Sequence, residues 1–323
     1  MKLFALAAAF AALASSVSAQ ESNFPDHPVY FIVPFAAGGP TDTIARLTAE
    51  AMSKKLGQQV IVENVTGAGG TIAARRVAES DPDGYTVLIH HIGISTAPAL
   101  YRKLPYDTLK AFEPIGLVSD APMTVIARND LEPNTLKELI DYIKAKGTDL
   151  TFGNAGLGAA SHLCGALFQS TIGAKVTTVP YKGNGPVMTD LIGKQIDLSC
   201  DQSTNTVGPI KQKQVKAYNV TSPKRIEQLP DLPTSAESGL PQFEFGVWHG
   251  LYVPAGTPPE VVKKLNEGLQ AAIVDPVVTA RFKDIATRPA TAEEATPEAL
   301  RKKLESEINR WGPIIKQAGE FAD

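Results

Sequence analysis

Short, continuously apolar runs alternate with amphipathic stretches along most of the chain. Tyr30-Phe31-Ile32-Val33 is apolar throughout, the pattern of a parallel strand buried on both faces. A Gly-rich turn follows, then a helix with Ile44, Leu47 and Ala51 on one side. Gln59 to Asn64 and Tyr85 to Ile89 read as the next strands, with a helix over Thr71 to Glu79 between them. Asp81-Pro82-Asp83-Gly84 supplies the turn before the third strand. Thr124 to Ala127, Leu150 to Gly153, Thr177 to Val179, Ile196 to Cys200 and Val215 to Val220 are further short strands, with helices interleaved. Thr135-Leu136-Lys137-Glu138 is a capping box that opens a helix running to about Lys146. Thr257-Pro258-Pro259-Glu260 combines an N-cap Thr, an N1 Pro and an N3 Glu, and Thr296-Pro297 starts a C-terminal helix ending near Gln317.

Strands that alternate with helices predict an α/β fold with mainly parallel sheets and right-handed crossovers. A chain of 323 residues exceeds what one core usually serves, so two domains are expected. Pro and Gly cluster around Ser119 to Pro122 and again around Pro230 to Pro241. A chain that crosses twice between two lobes returns its C-terminal part to the first. That gives an expected lobe of residues 20–122 plus 247–323 and a second of residues 123–246.

The start of the chain has a different pattern. Lys2 precedes an unbroken apolar run, Leu3 to Ala14, and Val17-Ser18-Ala19 offers small residues for cleavage. Residues 1–19 are therefore expected to be a secretory signal, leaving Gln20 as the mature N-terminus. The run is shorter than the about 20 apolar residues of a membrane span, and no Cys follows to carry a lipid. The mature protein is expected to be soluble, monomeric and periplasmic.

Charge and cysteine content mainly exclude. Lys and Arg number 31 against 34 Asp and Glu, for a net charge of -3, and no basic tract points to nucleic acid. Two cysteines rule out a four-Cys zinc site and a disulfide scaffold. Cys164 and Cys200 are either a disulfide or two buried thiols. His90 and His91 are neighbours on a strand and point to opposite faces, a poor metal pair. No G-x-S-x-G, H-E-x-x-H or C-x-x-C occurs. Neither an enzyme nor a metal or other cofactor is expected.

What remains is a set of glycine-rich loops between strands and helices. Phe35-Ala36-Ala37-Gly38-Gly39-Pro40-Thr41-Asp42 follows a buried strand and opens an amphipathic helix. Loops at the carboxyl ends of strands are where open α/β sheets bind ligands, and free amides at a helix start favour an anion. Pro40 fits N1, making Gly39 the N-cap and Asp42 the N3 residue. Asp42 complements the helix dipole and stands four residues before Arg46, so capping competes with ligand contact as its role. The loop lacks the Lys of a phosphate loop and the G-x-G-x-x-G of a dinucleotide fold. Gly153-Asn154-Ala155-Gly156-Leu157-Gly158-Ala159-Ala160-Ser161-His162 repeats the arrangement on the expected second lobe. Two such loops facing each other grip a carboxylate with neutral dipoles. Ser161 adds a hydroxyl, and His162 fits a cap better than a base, since no nucleophile accompanies it. Gly67-Ala68-Gly69-Gly70 is a third opening of the same kind, equally readable as a plain turn.

The segment Val33 to Asp42 with Arg46 resembles the opening signature of Bug-type receptors, the periplasmic solute-binding proteins of tripartite tricarboxylate transporters. The likeness continues through Gly67-Ala68-Gly69-Gly70, Asp81-Pro82-Asp83-Gly84-Tyr85, Leu104-Pro105-Tyr106-Asp107, the Gly153 to His162 loop and Val179-Pro180-Tyr181-Lys182-Gly183. Leu229-Pro230-Asp231-Leu232-Pro233-Thr234 with Glu237 and Gly239, Trp248 with Gly250, and Pro254-Ala255-Gly256-Thr257-Pro258 extend it over nearly the whole mature chain. One stretch departs. Where relatives often carry a Thr/Ser–His–Asn pattern before Leu100-Tyr101, this chain has His91-Ile92-Gly93-Ile94-Ser95-Thr96-Ala97.

The resemblance implies a two-lobe, periplasmic-binding-protein-like (type II) fold that closes over a small carboxylate and delivers it to one large and one small membrane subunit. It implies that Phe35, Ala36, Ala37, Gly38, Gly39, Thr41 and Asp42 hold one ligand carboxylate, with Gly158, Ala160, Ser161 and His162 opposite. His91 and Gly93 fall in the same cleft, and Tyr181, Asp201 and Gln202 fall where the family tunes selectivity for the ligand's far end. Members take citrate, dicarboxylates, amino acids or aromatic acids. The apolar lining offered by Phe35, Ala36, Ala37 and Ile92 favours an aromatic, terephthalate-like dicarboxylate here, against citrate or an aliphatic dicarboxylate. A receptor that feeds a signalling sensor, or an exported hydrolase, are the other classes the pattern admits.

Overall fold

The computed structural model describes residues 23–318, so the expected signal segment lies outside the described residues. Its strands are β1 (Val29–Val33), β2 (Val60–Asn64), β3 (Thr86–His91), β4 (Phe112–Arg128), β5 (Thr151–Asn154), β6 (Thr177–Pro180), β7 (Leu198–Gln202), β8 (Val215–Val220), β9 (Gly246–Pro254) and β10 (Arg288–Pro289). Its helices are α1 (Pro40–Leu56), α2 (Thr71–Ala78), α3 (Gly93–Leu100), α4 (Leu136–Lys146), α5 (Ala160–Ile172), α6 (Asn184–Ile192), α7 (Ser203–Lys211), α8 (Pro259–Ile273), α9 (Pro276–Asp284) and α10 (Pro297–Ala318).

The apolar run of β1 is buried on both faces. Phe31 and Val33 pack with Ile44 and Met52 of α1 and Leu265 of α8, whereas Ile32 packs on the other side with Ala73 and Val77 of α2. β1 pairs in parallel with β2 and β3, and β3 then pairs antiparallel with β9. In the second sheet β5 pairs in parallel with β6 and β7. The outer strands are thus parallel, while the strands around β4 run antiparallel to it.

β4 joins the two sheets. Its first part, Phe112 to Pro122, pairs with β9, and its second part, Met123 to Arg128, pairs with β7 and β8. Only Thr124 to Ala127 was legible as a strand, because Pro114, Gly116 and Pro122 read as breakers. Register shifts at Pro114/Gly116 and Leu117/Ser119 absorb the irregular residues, as bulges do. β9 starts at Gly246, opposite Pro122. Thr221 fastens this junction by donating from Oγ1 to the Phe245 carbonyl at 2.6 Å.

Local expectations are met with small shifts. Thr135 and Glu138 form both halves of the capping box on α4. The N-cap of α8 is Pro258, one residue after Thr257, whose hydroxyl instead donates to the Pro254 carbonyl. Cys164 of α5 and Cys200 of β7 are joined in a disulfide, which resolves the alternatives the sequence left open.

Candidate ligand-binding site

Helix α1 begins against the start of α6, and α3 begins against the loop before α5. The amides of a first helical turn lie outside the helix's own ladder and point outward with a partial positive charge. Gly39 is the N-cap of α1 and Pro40 its first residue, as the sequence predicts. Across from it, α6 starts after Gly183. Ala36 donates its amide to the Lys182 carbonyl at 2.9 Å, so the two loops touch directly. Gly183 has φ +150°, and a Cβ there would lie 2.7 Å from the Ala36 amide nitrogen, which restricts the position to glycine. A Cβ on Gly185 would lie 2.9 Å from the Ala37 carbonyl oxygen.

A second contact joins α3 to the loop before α5. A Cβ on Gly93 would lie 2.9 Å from the Gly158 carbonyl oxygen. Thr96 donates to that carbonyl at 3.3 Å, and the Tyr101 hydroxyl donates to the Leu157 carbonyl at 3.1 Å. Phe35, Ala155 and Ala159 make a small buried apolar seam between the walls. A third contact lies beside α7, where Ser203 Oγ donates to the Ala286 carbonyl at 2.9 Å and Thr204 bonds Thr287 at 2.7 Å.

The side chains named from the sequence divide by what they do. Asp42 is turned into its own wall, accepting from the Gly38 amide at 3.0 Å, Arg46 Nε at 3.0 Å and Asn64 Nδ2 at 2.9 Å. Burial opposes its charge, yet the Arg46, Gly38 and Asn64 bonds hold its pKa below the ordinary value. Ser161 Oγ accepts from the Ala155 amide at 2.8 Å, and His162 Nδ1 accepts from the Gly158 amide at 3.3 Å. These two shape the second loop, and Ala160 is buried as the first residue of α5. The Tyr181 hydroxyl donates to Asp190 at 2.7 Å, and burial beside that carboxylate pushes its pKa up to about 12.

Phe35 stacks on His91, with ring centroids 4.6 Å apart. His91 belongs to a buried trio with His90 and His249, and its Nδ1 accepts the Gly93 amide at 2.9 Å. Burial holds His90 at about 4 and His249 at about 3, and drives His91 well below its usual value, so all three rings are neutral near pH 7. His249 reaches Thr41 Oγ1 at 3.2 Å through Nε2. Among the described residues, no group of three or more His, Cys, Asp or Glu is arranged to hold a metal.

On the opposite wall Asp201 is fully enclosed and accepts from Asn184 Nδ2, from Asn205 Nδ2 at 2.6 Å and from the Gln202 amide at 2.7 Å. Burial nevertheless raises its pKa to about 7. Asn184 and His249 were not singled out from the sequence. Asn184 carried a signal, since Gly183-Asn184-Gly185-Pro186 repeats the strand–glycine–helix opening of the other two loops. His249 carried none, because nothing in the pattern marked β9 as a strand beside the cleft.

The arrangement offers an anion the free amides of helix starts and small-residue loops, between two walls in contact. The family model for the receptor of the tripartite tricarboxylate transporters, TctC, matches residues 44–320. The solved structure of the periplasmic binding protein BugD is 50% identical, with a TM-score of 0.91 over 93% of this chain and 100% of that one. MatC of Rhodopseudomonas palustris with bound malate is 38% identical, with a TM-score of 0.88 over 90% of this chain and 100% of that one. An R. palustris protein with adipate is 33% identical, with a TM-score of 0.86 over 92% of this chain and 98% of that one. The chain belongs to the TctC family, as a Bug-type solute-binding receptor with the two-lobe fold of the periplasmic binding proteins.

Proposed function

We propose that the protein captures a small dicarboxylate in the periplasm and delivers it, as a monomer, to one large and one small membrane subunit. The observation that carries this reading is that the starts of α1 and α6 face each other and α3 starts against the loop before α5, with the walls touching at Ala36–Lys182. Binding of malate and adipate by relatives of the same fold supports the ligand class. We take the lobes to be residues 20–122 with 247–323 and residues 123–246, on the strength of the change in partners of β4 after Pro122. One ligand carboxylate lies against the Phe35 to Asp42 loop and the start of α5, held by amides and water. His91 and Gly93 border it, and Asp201 and Gln202 meet the far end.

An aliphatic acid fits better than a terephthalate-like one. The Phe35 ring, the strongest candidate to face an aromatic ligand, is already stacked on His91. Isothermal titration of the mature protein with malate, adipate, citrate and terephthalate tests the reading. Saturable heat from an aliphatic dicarboxylate is expected. Binding of citrate alone, of terephthalate alone, or of none of the four overturns it.

A further inference from the structure

Helix α5 covers only part of the sheet face beneath it. Phe152 and Asn154 of β5 are two residues apart and so share a face, and Thr178 of β6 is level with Phe152. The Phe152 ring lies 2.5 Å from where a Cβ on Gly165 of α5 would be, which puts α5 on that face. β6 is the last strand of its sheet, and Thr178 is exposed. Between this face, α5 and the end of α10 lies a cavity of about 680 Å³. Among the described residues, His162 is the one ligand-site residue named from the sequence that lines it, so the cavity is separate from the cleft.

The lining is mainly apolar, with a polar group at each end. Leu163, Leu167, Val176, Trp311, Ile314 and Ile315 supply the apolar part. At the inner end Asn154 is fully buried, and its Nδ2 has no partner, a state that asks for an acceptor. Its Oδ1 accepts from the Gly156 amide at 2.8 Å, so turning the amide over would set donor against donor. Because Asn154 shares the Phe152 face, the unpaired donor is directed to the cavity side of β5. At the rim, Lys175 is the one Lys, Arg, Asp or Glu among the described residues of the lining, and its ammonium pairs with no other described residue. Asn154 is level with Pro180, five residues past Lys175, so the two ends are roughly 16 Å apart.

We infer that this cavity is a second binding site, for a medium-chain carboxylate that carries an oxygen acceptor at its apolar end. The carboxylate meets Lys175 at the rim, the chain lies over Leu167, Val176, Ile314 and Ile315, and the far oxygen accepts from Asn154 Nδ2. A largely apolar cavity of this size with a few placed polar groups is the usual form of a small-molecule site. The single cation calls for one negative charge, and the separation of the two polar ends calls for a chain. A compact acid of the kind the cleft takes cannot reach both ends. An acid without the far oxygen leaves the buried donor unpaired, and a site built to bond one ligand group discriminates against the analogue that lacks it.

The test is calorimetric titration of the unmodified protein with decanoate and 10-hydroxydecanoate, which differ only in the far oxygen. The hydroxy acid should bind at one site, at least ~5-fold more tightly than decanoate, and excess malate should not displace it. Ile314→Asp, at a position 48% exposed, sets a charge against the chain and should weaken both acids at least ~10-fold. Lys175→Gln, on the exposed rim, should weaken both by roughly 3-fold. No binding of either acid overturns the inference, as does equal affinity for the two. Displacement by malate would place the probe in the cleft and overturns it, and so does unchanged affinity in both variants. Binding seen only after removal of residues 319–323 would give the groove to that segment of the chain, and a dimer that Ile314→Asp splits would give it to a second copy; either result overturns the inference. None of these readouts requires the cleft to bind a dicarboxylate.

Discussion

On the α1 side of the cleft, polarity comes from the backbone. The Phe35 to Asp42 loop contributes small residues, and its one acid, Asp42, is spent on Gly38, Arg46 and Asn64. Behind it lie three neutral histidines. On the α6 and α7 side, polarity comes from side chains: Asn184, Asp201 and Gln202 form a buried group with two oxygens unpartnered. The first wall therefore offers backbone donors, and the second offers fixed side chains.

The disulfide belongs to the second wall alone, tying the helix that follows the Gly153 to His162 loop to the strand that carries Asp201. Its loop closes 36 residues, for which chain-entropy reasoning gives about 4 kcal/mol. Replacing Cys164 and Cys200 by Ser should lower the thermal midpoint by roughly 5–10 °C, followed by circular dichroism. An unchanged midpoint would mean the second wall is rigid without its staple.

Next in size is contact between the walls. Gly185→Ala places a methyl 2.9 Å from the Ala37 carbonyl oxygen while favouring helix α6 by roughly 0.5–1 kcal/mol. The ligand-free protein should melt as before or slightly higher, and dicarboxylate affinity in calorimetry should fall roughly 100-fold, or about 2.7 kcal/mol. Wild-type affinity in this variant would show that the walls need not meet.

The smallest effect concerns pH, where the two walls oppose each other. The histidines have folded pKa values below their usual 6.5, so the stability they contribute is present above that pH and is lost on acidification. At pH 5, His90 and His249 each cost roughly 2 kcal/mol relative to pH 7, and His91 acts in the same direction. Asp201 runs the other way. Its folded pKa of about 7 lies above the ordinary carboxylate value, so acidification over that window stabilises, returning roughly 2 kcal/mol. Urea unfolding at pH 7 and pH 5 should show a net loss of roughly 2 kcal/mol or more. Stability that rises towards pH 5 would put the weight on Asp201 instead.

The same contrast explains what could be read in advance. The first wall is a local motif, Gly38-Gly39-Pro40 between an apolar strand and an amphipathic helix, and local chemistry fixes Gly39 as N-cap and Asp42 at N3. The strands of both sheets were legible to within a few residues wherever they were short and apolar. β4 was not, because its Pro114 and Pro122 are tolerated only through bulges and a change of partners, which no local pattern encodes. In the second wall Asp201 and Gln202 were named through the family resemblance, whereas the contact of Asn184 depends on a neighbour 17 residues away. His249 depends on the pairing of β9 beside β3, a long-range fact.

β4 passes from the partners of one sheet to those of the other between Pro122 and Met123, and β9 begins at Gly246 on the rung opposite Pro122. One strand changes partners at the rung where its neighbour begins, which marks a single crossing between the sheets. A rotation there would pass through few soft dihedrals, and a few degrees at that rung would become a large displacement at the rim.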